Sequence, residues 1–167
     1  MLKAHRILHL KRLSSAILFA IALLAVSCSE PVKRYSFKDF EQTDGWSKDI
    51  AAELTLDIQE GLNGGQLYIC AQIVINENLN DISTIPVSIE FISPDGKRYS
   101  DETDLPLNVV QKDGIVQSNG GLLQIQWPYM KLSDTYISGR WRIIIRHRGE
   151  HPVYKYVWGL GASYDTQ

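Results

Sequence analysis

Two histidines four residues apart, His147 and His151 in Arg146-His-Arg-Gly-Glu-His-Pro152, come nearest in this chain to a metal-ligand spacing. On a helix that spacing puts both imidazoles on one face, but Gly149 and Pro152 break any helix, so the two rings could meet only across a hairpin turn. Arg146 and Arg148 repel a cation and no third histidine follows residue 28. The expectation is a solvated turn and no metal. Asp101, Glu102 and Asp104 could serve as paired carboxylates for glycoside hydrolysis or as calcium ligands. Calcium loops need more oxygens at set spacing, so a charged hairpin arm is the plainer expectation. Nucleophile elbows, phosphate-cradling loops and HExxH are absent, because Gly61-Leu-Asn-Gly-Gly65 and Gly159-Leu-Gly161 have no flanking Lys or Ser and no strand-to-helix context. Neither enzyme activity nor a cofactor is expected. Tyr154, Tyr156 and Trp158 share one parity, and a row of rings can stack on sugars or dock a protein partner; it can equally be core.

The segment that must place this chain in the cell comes first. Lys3, Arg6, Lys11 and Arg12 form a basic head, and residues 13–26 carry no charge. That is the layout of a secretory signal, and the apolar run falls short of the ~20 residues a spanning helix needs. Ala25-Val26-Ser27-Cys28 then puts a small residue directly before a cysteine, as in a bacterial lipobox. Cys28 is the expected cleavage and lipidation site, with acyl chains contributing about 0.8 kcal/mol per buried methylene. With Cys28 acylated, Cys70 is the one thiol left and no intrachain disulfide is possible. Apolar neighbours in Leu67-Tyr-Ile-Cys-Ala-Gln-Ile-Val-Ile75 make Cys70 a buried small hydrophobe.

All 19 acids lie beyond Ser29, so the chain after its basic head is net acidic, which disfavours nucleic acid as a partner. Residues 29–47 mix charges, aromatics and turn formers and read as a tether that docks at Trp46. From there strand-length runs alternate with turns: Ala52–Ile58; Leu67–Asn76, read as a central strand covered on both faces; Pro86–Ser93 and Lys97–Thr103 about a Pro94-Asp-Gly96 turn; Leu105–Val110; and Gly120–Trp127 after a polar loop, Gln111–Asn119. Trp127–Ser133 reads as an irregular connector. Gly139–Arg148 and Val153–Leu160 close the series, with Trp141, Ile143 and Ile145 inward and Arg140, Arg142, Arg146 and Arg148 outward. Pro106 marks an edge strand or a bulge. Six to eight short strands without a helical period predict an all-β antiparallel β-sandwich of Ig-like or jelly-roll type. The expected layout is a signal peptide at 1–27, a lipidated tether at 28–47 and a single sandwich domain at 48–167.

In order along the chain, the lipobox, Trp46-Ser-Lys-Asp-Ile50, the Tyr68 strand, the Ser93-Pro-Asp-Gly96 turn, Gly139-Arg-Trp-Arg-Ile-Ile-Ile145 and Val157-Trp-Gly-Leu-Gly161 together resemble the gliding-motility lipoprotein GldH family of Bacteroidota. The resemblance spans most of the mature chain. It implies an envelope lipoprotein that serves the gliding apparatus and its coupled secretion system; the expected location is the outer membrane with the domain facing the periplasm. Such a protein acts through contacts with other envelope lipoproteins or motility and secretion components, and the family carries no catalytic residues onto this chain. Members also occur in bacteria that do not glide, so the minimum implied is a role in envelope assembly or secretion. The alternative is a surface lipoprotein that binds glycans through Tyr154, Tyr156 and Trp158.

Overall fold

Strict alternation accounts for the strands that build the core. In Ala52-Glu-Leu-Thr-Leu-Asp-Ile58 every second side chain is apolar, and an extended backbone sends alternate side chains to opposite faces. Ala52, Leu54, Leu56 and Ile58 are all buried in the computed structural model. The structure describes residues 34–40, 44–60, 65–74, 83–107, 115–132 and 136–165. These hold eleven strands: β1 Tyr35–Asp39, β2 Trp46–Ser47, β3 Ala52–Ile58, β4 Gln66–Val74, β5 Thr84–Ile92, β6 Arg98–Pro106, β7 Ile115–Asn119, β8 Leu122–Lys131, β9 Gly139–His147, β10 Val153–Tyr154 and β11 Val157–Tyr164.

The strands pair antiparallel in two main sheets, a five-stranded one ordered β1-β11-β4-β8-β7 and a four-stranded one ordered β3-β9-β5-β6. A short β10-β2 ladder stands apart. Between the sheets lies one apolar core, to which the four-stranded sheet gives Leu54, Leu56, Val87, Ile89, Ile143 and Ile145, and the five-stranded sheet Leu67, Ile69, Ile73, Ile125 and Leu160. Each such side chain contributes about 1.5–3 kcal/mol by leaving water. The fold is the all-β sandwich that the pattern predicts. At one edge β1 lies beside β3, where Ser36 Oγ accepts the Thr55 N–H at 3.0 Å.

Several assignments hold in detail. Val87, Ile89 and Phe91 face the core, the 93–97 turn joins β5 to β6 with Gly96 at φ +83°, and β6 is an edge strand ending at Pro106. On β9, Trp141, Ile143 and Ile145 are buried and Arg140, Arg142 and Arg146 exposed, as parity requires; Arg148, just past the strand, is exposed too.

Others need correction. The folded unit begins at β1 and not at residue 48: Tyr35–Asp39 adds to the free edge of β11, and Trp46 is fully buried. Part of the expected polar loop is β7, which folds onto β8 through Gly120-Gly121, both at positive φ, the backbone that a two-residue hairpin requires. Trp127–Lys131 is not a connector but the second half of β8; Pro128 is accommodated because a register shift between Leu67 and Tyr68 lies opposite it. Leu105 lies near the end of β6 instead of starting a new strand. β4 is central but covered on one face only, its exposure alternating strictly along nine residues. Residues 1–33 with Cys28, the turn residues 61–64, and residues 75–76 and 108–114 lie outside the described residues.

Candidate functional site

His147 is not in a solvated turn. As the last residue of β9 it is 2% exposed, held edge-on between Trp46 (ring centroids 4.9 Å) and Tyr154 (4.8 Å). Among the described residues neither ring nitrogen has a hydrogen-bond partner, and the same is true of the buried Tyr156 hydroxyl. β2 and β10 place this cluster: the Tyr154↔Trp46 pair brings the two rings to His147, Trp46 Nε1 donates to the Ile50 carbonyl at 2.9 Å, and Phe40 stacks on Trp46 at 5.8 Å. Gly149 leaves room for the Tyr154 hydroxyl, which would stand 1.7 Å from a Cβ built there. His151 is exposed on the other side of Tyr154, at 5.7 Å between centroids, so the two imidazoles flank one phenol ring and do not converge. Among the described residues no three His, Cys, Asp or Glu side chains gather into a metal-holding group.

Burial lowers the His147 pKa, Lys48 adds to the effect, and the Trp46 backbone opposes it. The folded state therefore holds the neutral imidazole, whereas the unfolded chain takes up a proton near pH 6.5. Stability is complete above that value and falls as the pH drops through it toward the lower folded value, by at most about 1.4 kcal/mol per pH unit for one proton. Urea midpoints measured at pH 7.5 and 5.5 should differ in the wild type and differ less in His147→Phe. An equal difference in both would remove His147 as the cause.

The aromatic row is not an exposed row. Tyr154 belongs to β10 and Tyr156 to the following turn, both are buried in the core, and half-buried Trp158 sits at the register shift of β11. The β10-β2 ladder turns the first two rings inward, so strand parity does not carry through the Lys155-Tyr156 turn. They form no joint ligand surface.

Asp101, Glu102 and Asp104 are on β6 as expected of a hairpin arm, but Asp101 has a definite role. It pairs in register with Ile89 and so faces the inter-sheet side, where it accepts a hydrogen bond from the Tyr129 hydroxyl of β8. Tyr129 in turn stacks on Phe91 at 5.7 Å, and its pKa is raised by burial and by Asp101. Beside this link a groove of about 470 Å³ opens between β6 and β8, walled by Ile69, Leu105, Trp127 and Pro128 with Asp101, Thr103 and Asp104 at its rim. Among the described strands β6 has β5 as its sole neighbour, so its second backbone edge is available there. Glu102 faces the opposite way and pairs with Arg148.

The outer faces of the two sheets differ in charge. On the four-stranded sheet Arg140–Asp57 (2.9 Å), Arg142–Glu53 (3.5 Å) and Arg98–Glu90 (2.7 Å) form a lattice of ion pairs. The five-stranded sheet instead presents Tyr35, Phe37, Cys70, Gln72, Gln124 and Gln126 around a shallow hollow of about 100 Å³. Cys70 is half-buried there and not in the core; its Sγ lies 3.6 Å from Ser163 Oγ, and burial raises its pKa while Ser163 pulls it down. Gly159 and Gly161 lie within β11 under the Phe37 ring, where a Cβ would stand 2.2 and 2.5 Å from ring carbons. The Gly-x-Gly spacing inside an apolar run was the available signal for this seat, because alternate residues of a strand share a face.

No family model matches the chain, and no curated protein matches it significantly. Among solved structures the chain is similar to the structure of the Clostridium perfringens CspB protease, at 18% identity and a TM-score of 0.35, over 78% of this chain and 25% of that one. The chain thus spans a quarter of that protein's length, and likeness at this score establishes neither a shared fold nor a shared activity.

Proposed function

We propose that this chain is a lipid-anchored, non-enzymatic envelope protein resembling GldH, an accessory or structural component of a gliding-motility and secretion apparatus that works through protein-protein contacts. The observation that carries the reading is the lipobox cysteine placed seven residues before β1, so that a thioether at Cys28 would tether the sandwich directly. Tethering raises the effective concentration of the domain for any partner in the same membrane. The open edge of β6, with its groove and its acidic rim, suits an extended basic segment of such a partner better than it suits a small substrate. A second reading, neutral glycan binding, rests on the uncharged hollow of Gln72, Gln124, Gln126 and Tyr35 and no longer on Tyr154 and Tyr156.

Cys28→Ala should shift the protein from the membrane fraction to a soluble or unprocessed form and abolish acyl labelling; unchanged fractionation with unchanged labelling would reject the anchor. In-cell crosslinking of the acylated protein should recover envelope lipoproteins or secretion-motor components. Recovery of none, with retention on a neutral polysaccharide column, would put the glycan reading first.

A further inference from the structure

Among the described residues, four large hydrophobic side chains are exposed, three of them at one end of the sandwich. Tyr35 (54% exposed), Tyr99 (50%) and Ile137 (40%) stand out at one end, and Ile50 (42%) at the other. Register fixes the ends. Tyr35 starts β1 opposite Ser163 and Gln66 opposes Lys131 in one sheet, Ile58 opposes Gly139 and Ile92 opposes Arg98 in the other, and the Tyr164 hydroxyl at the end of β11 donates to the Asp57 carbonyl near the end of β3, so β1, β4, β6 and β9 begin where β3, β5, β8 and β11 finish. Tyr99 lies at the start of β6 and Ile137 just before β9. Ile50 precedes Ala52, whose partner Ile145 is near the end of β9.

At the first end Tyr99 and Ile137 are supported from beneath. Tyr99 and Tyr136 both pack on the buried Trp141, at 6.2 and 5.5 Å between centroids, and Trp141 Nε1 donates to the Ile137 carbonyl at 2.8 Å, which fixes the loop that presents Ile137. Lys97, Arg98 and Lys131 are exposed at the same end, Lys97 paired with Asp95 at 2.8 Å and Arg98 with Glu90. Tyrosine and the long basic side chains share one property: an apolar body and a polar tip, which suits the headgroup layer of a bilayer.

The covalent path points to the same end. Seven residues separate Cys28 from Tyr35, and an extended chain spans at most about 3.6 Å per residue, so the start of β1 stays within about 25 Å of an acylated Cys28. We infer that the end of the sandwich bearing Tyr35, Tyr99 and Ile137 rests on the lipid surface and that the end bearing Ile50, Lys48 and His151 points away, toward partners. This orientation rests on the Cys28 anchor proposed above. The outward end is also where the His147 cluster and the β10-β2 ladder lie.

The test uses the acylated full-length protein purified from membranes and reconstituted in phosphatidylethanolamine/phosphatidylglycerol vesicles containing a photoactivatable phospholipid. After flotation and irradiation, lipid-crosslinked peptides are mapped by mass spectrometry. Peptides holding Tyr35, Tyr99 and Ile137 should carry at least fivefold more label than those holding Lys48 and His151. The double variant Tyr99→Ser/Ile137→Ser should float equally and lose most of the label at its end. Flotation with equal labelling of both ends overturns the orientation and leaves the anchor standing; failure to float together with absent acylation removes the anchor, and the orientation with it. The wild-type map needs no substitution, so a variant that misfolds leaves the inference testable.

Discussion

Trp46→Ala is expected to lower the unfolding free energy by about 3–5 kcal/mol, the range for deleting a large aromatic from a packed core. Trp46 is fully buried, and its loss does more than open a cavity. Phe40 loses its stacking partner, the Ile50 carbonyl loses the indole N–H, and one wall of the His147 cage disappears. Water entering the cavity could then hydrate the two imidazole nitrogens, which have no partner among the described residues. The variant should therefore also lose part of the stability difference between pH 7.5 and 5.5. Urea denaturation at both pH values checks this, and a loss below about 1 kcal/mol at pH 7.5 would show that the 40–50 segment contributes little to the fold.

Gly161→Val should cost about 3 kcal/mol, at the upper end of overpacking, because relief requires backbone movement. A Cβ at Gly161 meets Phe37 Cδ2 at 2.5 Å and the Ser36 carbonyl oxygen at 2.8 Å. The ring can rotate away, but the carbonyl belongs to the ladder that holds β1 on β11. The predicted consequence is selective: amides of β1 exchange faster while β3, β5 and β9 keep their protection. Phe37→Ala in the same chain should recover part of the loss by freeing the ring's space, a coupling readable in a double-mutant cycle. Additive losses would show that Phe37 and Gly161 do not share a seat.

β3 was legible to the residue, and β5 and β9 to within two residues at their ends, because burying one face of a sheet imposes a two-residue period on the sequence, which buried Ile144 interrupts on β9. β1 and β7 were not. β1 is an edge strand whose side chains are exposed or half-buried, so no face of it carries a burial period, and Tyr35-Ser-Phe-Lys-Asp39 reads as a tether until Gly159 and Gly161 are seen to make its seat. His147 was misplaced for a related reason. Its cover comes from Trp46 and Tyr154, residues of two-residue strands that no local pattern announces. Cys70 was read as core from its neighbours, but in β4 the neighbours Ile69 and Ala71 point the opposite way, and Cys70 shares its face with Tyr68 and Gln72. Asp101 gave no signal of its own, since the tyrosine that binds it lies 28 residues further on.

The pairing of β1 with β11 joins the earliest described strand to the latest, Tyr35 to Ser163. Loop-closure entropy makes such a contact late and slow to form, and topologies dominated by distant pairings fold in milliseconds to seconds. A ribosome or a translocation channel emitting this chain releases β1 long before its partner strand exists. Phe37 therefore has no glycine seat until the C-terminal strand is out. The five-stranded sheet is therefore complete only once β11 is out, and β1 stays without its partner until then.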